Sequence, residues 1–438
     1  MDASVAVVGA GLSGLAAARR LEAAGARVVV LEANEKPGGR VQTERIGDYL
    51  VDTGPDTATD GYSRWLNLVS ELGLRLVPSS PVAGVVRDGR VLDIDPRRKL
   101  RAAAAPFLSW PGKARVAAGV VRLRKELAAV DAFSPSESWE SDHPSESAHA
   151  MAVRAFGAEA ANGVLDGLTR LVAGSGSREV SRVSLLGALS AWTASLVNVE
   201  GGLAAVTDAA AASVKDLRCG AVVERVEETD TGVAVTYRQY GIDQVVEADA
   251  CVIAAMWSAA RQIYPPIAER EAEFAAGVRP LKLVGVSLGY TRRPASAAYA
   301  VVVPTAEMPD VLLIFLQHNK APDRAPADHA LITLYSDDLA SEHIAALPDD
   351  AVIAWAAERI ESLFPELRGF RDLGTVVRWP AAGYLATPGY FRRAHHLTGV
   401  YGAQSRIALG GDLRGAGSME SAIRGGEAAA DRVLAAVS

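Results

Sequence analysis

Cysteine is scarce in this 438-residue chain, which contains only Cys219 and Cys251. Both lie in apolar, strand-like stretches, where a free thiol behaves as a small hydrophobic side chain. Their spacing matches neither a metal site nor a redox pair, so the sequence predicts a reducing compartment and no disulfide framework. The seven histidines are scattered, and the adjacent His395 and His396 would point in different directions on a helix or a strand. We therefore expect no metal site.

The chain also lacks an excess of positive charge and long apolar runs. The chain has 45 Lys and Arg against 52 Asp and Glu, so no basic field would attract a nucleic acid. No uncharged apolar run reaches about 18 residues, which predicts no transmembrane helix. A first strand beginning at Val5 leaves no room for a signal peptide and favours a cytoplasmic location. Residues 111–130 mix apolar and basic side chains, which favours a solvated helix face, with peripheral membrane contact as the alternative.

The N-terminal residues have the pattern of a β-α-β unit. Residues 5–8 and 27–31 are short apolar runs, typical of buried parallel strands. Residues 12–24 between them are rich in alanine and predict a helix that ends at Gly25, a residue suited to a left-handed C-cap.

A glycine-rich turn joins the first strand to this helix. Its sequence, Gly9-Ala10-Gly11-Leu12-Ser13-Gly14, is a dinucleotide-binding pattern in the strand–turn–helix context that makes it informative. Gly9 permits the tight turn, Gly11 lets the backbone approach a pyrophosphate, and Gly14 allows close packing of helix on strand. The helix N-terminus favours the negative charge of the phosphates.

Two charged residues after the second strand refine this prediction. Glu32 is placed to accept hydrogen bonds from the adenosine ribose hydroxyls and would repel a 2′-phosphate, which disfavours NADP. Arg40, in Lys36-Pro37-Gly38-Gly39-Arg40, could bridge a pyrophosphate with its guanidinium fork. Spacing alone does not separate NAD from FAD.

Several motifs together resemble the flavin amine oxidase superfamily, which includes monoamine oxidases, protoporphyrinogen oxidases and phytoene-type carotenoid desaturases. Besides the turn, Glu32 and Gly38-Gly39-Arg40, they are Val51-Asp52-Thr53-Gly54-Pro55, the returning strand at 248–254, Gly410-Gly411-Asp412 and Gly417-Ser418-Met419-Glu420-Ser421-Ala422. By this resemblance, Asp412 would contact the ribityl–pyrophosphate region, the backbone at Met419 the flavin pyrimidine, and Val223 the adenine. The implied FAD-binding residues are Gly9, Gly11, Leu12, Ser13, Gly14, Glu32, Ala33, Gly39, Arg40, Gly54, Pro55, Val223, Gly411, Asp412, Ser418, Met419 and Ala422.

The resemblance implies an α/β fold of two discontinuous domains, of the amine-oxidase and p-hydroxybenzoate-hydroxylase type. A Rossmann-like FAD-binding domain is expected over residues 1–75, 201–263 and 376–438. The insertions at 76–200, largely helical, and 264–375, rich in strands, would form an α+β substrate-binding or lid domain. Within the first insertion, residues 133–147 are rich in Ser, Glu, Asp and Pro and are typical of an exposed loop.

The sequence motifs identify the reaction less clearly than they identify the cofactor. Arg154-Ala155-Phe156-Gly157 and Arg378-Trp379-Pro380-Ala381 resemble the protoporphyrinogen oxidases, whereas Ser418-Met419-Glu420 is closer to the desaturases and amine oxidases. The covalent-flavin cysteine of monoamine oxidases has no counterpart between Trp379 and Leu413, which predicts non-covalent FAD. No catalytic side chain is identified. Candidates for the substrate pocket are the strand lysine Lys282 and the aromatic residues Trp379, Tyr384 and Tyr390.

The predicted activity is that of an FAD-dependent oxidase or dehydrogenase. It would remove a hydride from an apolar or cyclic small molecule and pass electrons to oxygen or a quinone. The alternatives are a redox-neutral flavin isomerase, a carotenoid-desaturase-like enzyme, an amine oxidase and a flavin-binding protein without activity. The sequence does not indicate the oligomeric state.

Overall fold

The computed structural model describes residues 3–95, 97–191, 194–400, 405–415 and 417–438. The strands are β1 Ser4–Val8, β2 Arg27–Leu31, β3 Thr43–Ile46, β4 Tyr49–Asp52, β5 Ala58–Thr59, β6 Leu76–Pro78, β7 Ala83–Arg87, β8 Arg90–Ile94, β9 Leu196–Val199, β10 Leu217–Arg218, β11 Val222–Glu228, β12 Val233–Gln239, β13 Ile242–Ala248, β14 Ala250–Ile253, β15 Pro280–Tyr290, β16 Ala300–Val302, β17 Val311–Leu316, β18 Ala330–Ser336, β19 Arg371–Tyr384 and β20 Ile407–Leu409.

The helices are α1 Leu12–Ala23, α2 Ser63–Glu71, α3 Lys99–Ala104, α4 Trp110–Ala129, α5 Ala148–Phe156, α6 Ala158–Asn162, α7 Val164–Ala173, α8 Arg182–Ser190, α9 Ala204–Ala212, α10 Trp257–Ile263, α11 Pro266–Arg270, α12 Ala272–Gly277, α13 Asp338–Ala345, α14 Asp349–Leu363, α15 Tyr390–Val400 and α16 Met419–Val437. They are partly clustered along the chain, since α3 to α8 follow one another without a strand between them.

A parallel sheet contains the N-terminal β-α-β unit. Within the described residues it has five strands in the order β10–β2–β1–β14–β20. Alternate side chains of β1 face opposite ways, as a strand requires. Val5 and Val7 pack against α1, α9 and α16, whereas Ala6 and Val8 pack against β11–β13 and α10. Burial on both faces explains why the strands read as unbroken apolar runs, and the predicted Rossmann-like α/β fold is confirmed.

The first helix begins and ends where its sequence predicts, to within one residue. α1 ends at Ala23, with Ala24 as its C-cap, and the next residue, Gly25, has φ of +87°. α16 packs closely along α1, since a Cβ on Gly426 would lie 2.0 Å from the carbonyl oxygen of Ser13. The two ends of the chain therefore meet at the glycine-rich turn.

A second sheet forms the other half of the molecule. Among the residues described, its seven strands run in the order β19–β15–β18–β17–β16–β7–β8, antiparallel except for β16 beside β7. α13 and α14 cover one face of this sheet. The parallel sheet takes its strands from the three stretches predicted to form the FAD-binding domain, but β19 crosses the limit predicted at 376. The domain limits stay a prediction.

The serine- and acid-rich stretch 133–147 is not the exposed loop that its composition predicts. It contains a 3-10 helix, Pro135–Ser141, in which Ser136 and Ser138 are buried. Asp142 is buried as well, because its carboxylate accepts hydrogen bonds from Ser181 Oγ and from the Gly389 backbone N–H. These hydrogen bonds allow the carboxylate of Asp142 to lie inside the protein.

The basic stretch predicted to have a solvated face forms α4. Trp110 at its start is 72% exposed and Val121 is 61% exposed. Over the part of the chain that the structure describes, no helix combines the length and apolarity needed to cross a bilayer. Peripheral membrane contact stays a prediction.

Candidate active site

A cavity of about 1970 Å³ lies between the two sheets. One side is formed by the turns after β1, β2 and β14, and the other by β15–β18 together with α7 and α8. Pockets for a single drug-sized ligand usually measure roughly 300–1,000 Å³. This cavity therefore has room for a dinucleotide and a second molecule.

The three glycines of the N-terminal turn have different surroundings. Gly9 has φ of +97° and its N–H donates to the carbonyl of Leu31 at 2.8 Å. A Cβ on Gly14 would lie 1.8 Å from the carbonyl oxygen of Gly9, so helix and turn can meet only at glycine. A Cβ on Gly11, in contrast, would meet no protein atom closer than 4.0 Å, and Gly11 lines the cavity.

The space beside Gly11 is the feature that fits an FAD pyrophosphate. The protein's own atoms do not require glycine there, whereas a bound ligand that approaches the backbone would. Leu12 and Ser13 line the cavity at the start of α1, where first-turn N–H groups have no acceptor within the helix. Free N–H groups at the N-terminus of a helix favour the binding of an anion.

Glu32 lies beside this turn and is almost fully buried. Its Oε2 accepts the N–H of Ala10 at 2.7 Å, and its Oε1 accepts the N–H and Nδ2 of Asn34 at 2.9 and 2.7 Å. A carboxylate has about four lone-pair sites, so it can also accept ribose hydroxyls. Ala33 and Val223 line the cavity next to it, where the adenine is expected.

Arg40 and Asp412 lie against each other in the cavity wall. Nη1 and Nη2 of Arg40 each donate to one carboxylate oxygen of Asp412 at 2.9 Å, and Nη1 also donates to the carbonyl of Ala382. Burial disfavours the charged guanidinium, but Asp412 outweighs this effect and raises the pKa of Arg40 above its usual value. The fork predicted to bridge a pyrophosphate thus holds a carboxylate, and both residues line the same cavity.

The N-terminus of α16 points its first turn at the cavity. Ser418 is the N-cap and its Oγ accepts the N–H of Ser421 at 3.1 Å. Met419 and Ala422 line the cavity on this turn, as Ser418 does. The N–H of Gly411, in the loop after β20, donates to Ser13 Oγ at 2.6 Å and so connects the two helix N-termini.

Gly54 and Pro55 complete the predicted cofactor residues in the lining. A Cβ on Gly54 would lie 1.8 Å from the carbonyl oxygen of Arg40, so the chain after β4 lies directly against the residues that follow Gly39. Of the seventeen residues predicted to bind FAD, only Gly14 does not line the cavity, because it packs beneath the turn.

The cavity continues from these residues into a largely apolar part. Its wall is made of aliphatic and aromatic side chains from α7 and from the seven-stranded sheet, including Leu168, Leu171, Leu281, Leu283, Ala300, Val302, Leu312, Leu313, Phe315 and Trp379. Such a wall excludes water and suits an apolar ligand. Trp379 is the one predicted pocket residue found there.

The other three predicted pocket residues lie elsewhere, and that prediction is wrong for them. Lys282 points away from the cavity, opposite to its neighbours on β15, and its Nζ lies 3.4 Å from Glu342 at the surface. Tyr384 and Tyr390 lie in the core behind the wall. The hydroxyl of Tyr384 accepts the N–H of Trp257, and that of Tyr390 donates to the carbonyl of Leu413.

A buried cluster of charges in the wall was not predicted. Nζ of Lys320 lies 2.5 Å from Asp52 and 3.4 Å from Asp56, and Nε of Arg324 lies 3.5 Å from Asp52. Burial alone would raise the pKa of Asp52, but Lys320 and Arg324 lower it below its usual value. For Asp56 burial prevails over Lys320 and raises its pKa. Asp52 falls in a motif already recognised, but no sequence signal marks Lys320 as buried.

Comparison with known proteins agrees with this geometry. Coproporphyrinogen III oxidase from Propionibacterium freudenreichii subsp. freudenreichii is 37% identical over 146 residues, which cover 29% of this chain and 27% of that enzyme. The chain thus aligns with about a quarter of that relative's length. Cyclohexylamine oxidase from Brevibacterium oxydans has a TM-score of 0.77 at 20% identity, with 99% of each chain covered. Reduced UDP-galactopyranose mutase has a TM-score of 0.73 at 14% identity, covering 99% of this chain and 95% of that one.

The two structural likenesses concern the fold, because the identities are low. The family assignment has a broader basis, since the family described as flavin containing amine oxidoreductase matches residues 12–434. The match begins at Leu12, within the glycine-rich turn, and includes nearly the whole of α16, and thus almost every residue that lines the cavity. The chain belongs to the flavin-containing amine oxidoreductase family and is a flavin-dependent oxidoreductase.

Proposed function

We propose that this enzyme removes a hydride from an apolar or cyclic small organic substrate to non-covalently bound FAD, as protoporphyrinogen oxidases do, with oxygen or a quinone as final acceptor. The observation that carries the proposal is the continuity of the cavity. One space joins the glycine cradle around Gly11 to the apolar wall of α7 and the seven-stranded sheet. The segment shared with coproporphyrinogen III oxidase supports the choice of branch.

The residues of the chain would bind and orient the reactants. The first turn of α1 holds phosphates, Glu32 holds ribose hydroxyls, and the N-terminus of α16 favours negative charge on a reduced flavin. When bound, the flavin supplies the hydride acceptor. The apolar wall positions the substrate and excludes water, which prevents side reactions.

An amine oxidase is the less favoured candidate. Lys282, the strand lysine predicted to lie in the substrate pocket, lies at the surface with its Nζ beside Glu342. The apolar wall suits a substrate whose reacting carbon lies in a ring or chain without charge.

The position of the two cysteines supports non-covalent attachment. Neither Cys219 nor Cys251 lines the cavity, and burial raises the pKa of Cys251 to about 12, which keeps it protonated and unreactive. Acid denaturation of the yellow protein should release all of the flavin into solution. Flavin that stays with the precipitated chain would contradict this proposal.

Glu32 offers a test of the adenosine site. Glu32→Ala should weaken FAD binding by about ten- to a hundredfold, because hydrogen bonds from ribose hydroxyls to a charged acceptor are lost. Glu32→Gln, which keeps one acceptor oxygen for Ala10, is the matched control and should lose less affinity. Titration of flavin-free protein with FAD measures both, and equal affinity of all three proteins would refute the role of Glu32.

The reaction is tested by anaerobic mixing of the FAD-loaded protein with a panel of cyclic, polyene and amine substrates, followed by air. Bleaching of the flavin by an apolar substrate, with recovery of colour and peroxide after air, is the expected result for an oxidase. Recovery only after a quinone identifies a dehydrogenase. Turnover without net bleaching would contradict the proposal and indicate a redox-neutral isomerase. Bleaching by amines alone would indicate an amine oxidase.

A further inference from the structure

The residues 53–56, which follow β4, are held by hydrogen bonds from the opposite sheet. The indole Nε1 of Trp379 donates to the carbonyl of Thr53 at 2.7 Å. The hydroxyl of Tyr335 donates to the carbonyl of Gly54 at 3.1 Å, and that of Tyr299 to the carbonyl of Asp56 at 2.5 Å. Three aromatic side chains of the substrate side thus position one short segment of the cofactor side.

The side chain of Asp56 adds a second set of contacts to this segment. Its Oδ2 accepts the hydroxyl of Tyr335, and its Oδ1 accepts Nε2 of Gln317. Nζ of Lys320 lies 3.4 Å from the same Oδ1, and the side chain of Lys320 is 0% exposed. Both carboxylate oxygens accept hydrogen bonds from side chains of the opposite sheet and the loop after it, which fixes the position of Asp56.

Two of these side chains also face the substrate space. Tyr335 and Trp379 line the cavity, and the ring of Tyr335 lies edge-on to Phe315 with centroids 6.3 Å apart. Their polar atoms contact residues 53–56 while their rings form part of the apolar wall. Gly54 and Pro55, predicted to bind FAD, therefore lie against residues that also shape the substrate space.

We propose that Tyr335 and Trp379 are positioning residues that fix residues 53–56 against the flavin, so that the flavin's spectrum and reduction potential depend on side chains of the substrate wall. The inference rests on the proposed function, because it requires FAD in the cavity. Neither residue takes part in bond making; each contacts one backbone carbonyl of the segment, and the hydroxyl of Tyr335 also contacts the carboxylate of Asp56.

The test compares Tyr335→Phe with Tyr290→Phe in the FAD-loaded protein. Tyr290 is a matched control, because it is a fully buried tyrosine of the same sheet, lies outside the cavity lining, and donates to Glu361. Tyr335→Phe should shift the flavin absorption band and midpoint potential and raise the Kd for FAD by about three- to tenfold, the size of one net hydrogen bond. Tyr290→Phe should leave all three unchanged.

Trp379→Phe is a second variant, useful if Tyr335→Phe folds poorly, because it keeps an aromatic ring and removes the N–H that reaches Thr53. It should shift the same flavin properties. A purely structural role would lower the unfolding midpoint of flavin-free protein in the variants but leave spectrum and potential as in the wild type, which would overturn the inference. A wild-type protein that binds no FAD would overturn the proposed function and the inference together.

Discussion

The two sides of the cavity are built by different means. The cofactor side uses backbone, with glycines that let chain segments meet and helix N-termini that present N–H groups. The substrate side uses side chains, namely a wall of aliphatic and aromatic residues and the buried cations Lys320 and Arg324, which pair with Asp52 and Asp56 of the cofactor side. A backbone site tolerates little change in residue size, whereas a charged cluster tolerates little change in pairing. We therefore expect larger side chains to disrupt the cofactor side, and the loss of a charged partner to disrupt the substrate side.

The largest loss of stability is expected on the substrate side. Lys320→Met leaves Asp52 and Asp56 buried without their ammonium partner, which should lower the free energy of unfolding by about 3–5 kcal/mol. Lys282→Met is the matched control, because that lysine is 43% exposed beside Glu342 and its loss should cost less than about 1 kcal/mol. Urea unfolding of flavin-free protein measures both. Similar losses for the two lysines would show that the cluster does not stabilise the fold.

The next effect separates two glycines of the cofactor side. Gly14→Ala places a Cβ 1.8 Å from the carbonyl oxygen of Gly9 and should cost about 3 kcal/mol. Gly11→Ala meets no protein atom within 4.0 Å, and its φ of -75° suits alanine, so the flavin-free protein should keep or slightly gain stability. Thermal unfolding of the two variants without flavin provides the measurement. Equal destabilisation would contradict the distinction between a packing glycine and a ligand glycine.

A smaller effect concerns a buried acid, Glu271, to which the described residues supply no ion-pair partner. Glu271 is 6% exposed, its Oε1 has no hydrogen-bond partner among the described residues, and burial raises its pKa to about 7. Because the folded-state pKa is raised, the stability it contributes is present at low pH and is lost as the pH rises through about 7.

The Glu271→Gln variant has no ionisable group at this position. Its free energy of unfolding relative to the wild type should therefore be about 1–3 kcal/mol higher at pH 8 than at pH 5. Unfolding at the two pH values tests this expectation. A difference that does not change with pH would show that Glu271 keeps an ordinary pKa. Asp52 is the contrasting case, since its pKa is lowered by Lys320 and Arg324 although it is buried.

The contrast between the two sides also explains what the sequence could predict. The cofactor side depends on neighbours in sequence, so the turn Gly9–Gly14, the limits of α1 and the position of Glu32 follow from local pattern. The substrate side depends on distant pairs, such as Lys320 with Asp52, which are 268 positions apart. No local pattern reveals such a pair.

Errors in the predicted pocket have the same cause. Tyr384, Tyr390 and Lys282 have residue types found in flavin cavities, but residue type does not reveal which face of a strand or helix they occupy. The register of β15 against β19 shifts between Leu281 and Leu283, on either side of Lys282. Arg40 likewise holds Asp412, 372 positions away. The sequence predicted that Arg40 lies at the cofactor site, but not that it pairs with Asp412.

The central claim, that the cavity beside Gly11 holds FAD, is tested most directly by comparing wild type with Gly11→Val. FAD binding and thermal unfolding of the flavin-free protein are measured on the same preparations. We expect the wild type to bind one FAD per chain, and Gly11→Val to bind none while its flavin-free unfolding midpoint stays close to that of the wild type. Equal flavin content in the two proteins would contradict this account of the site.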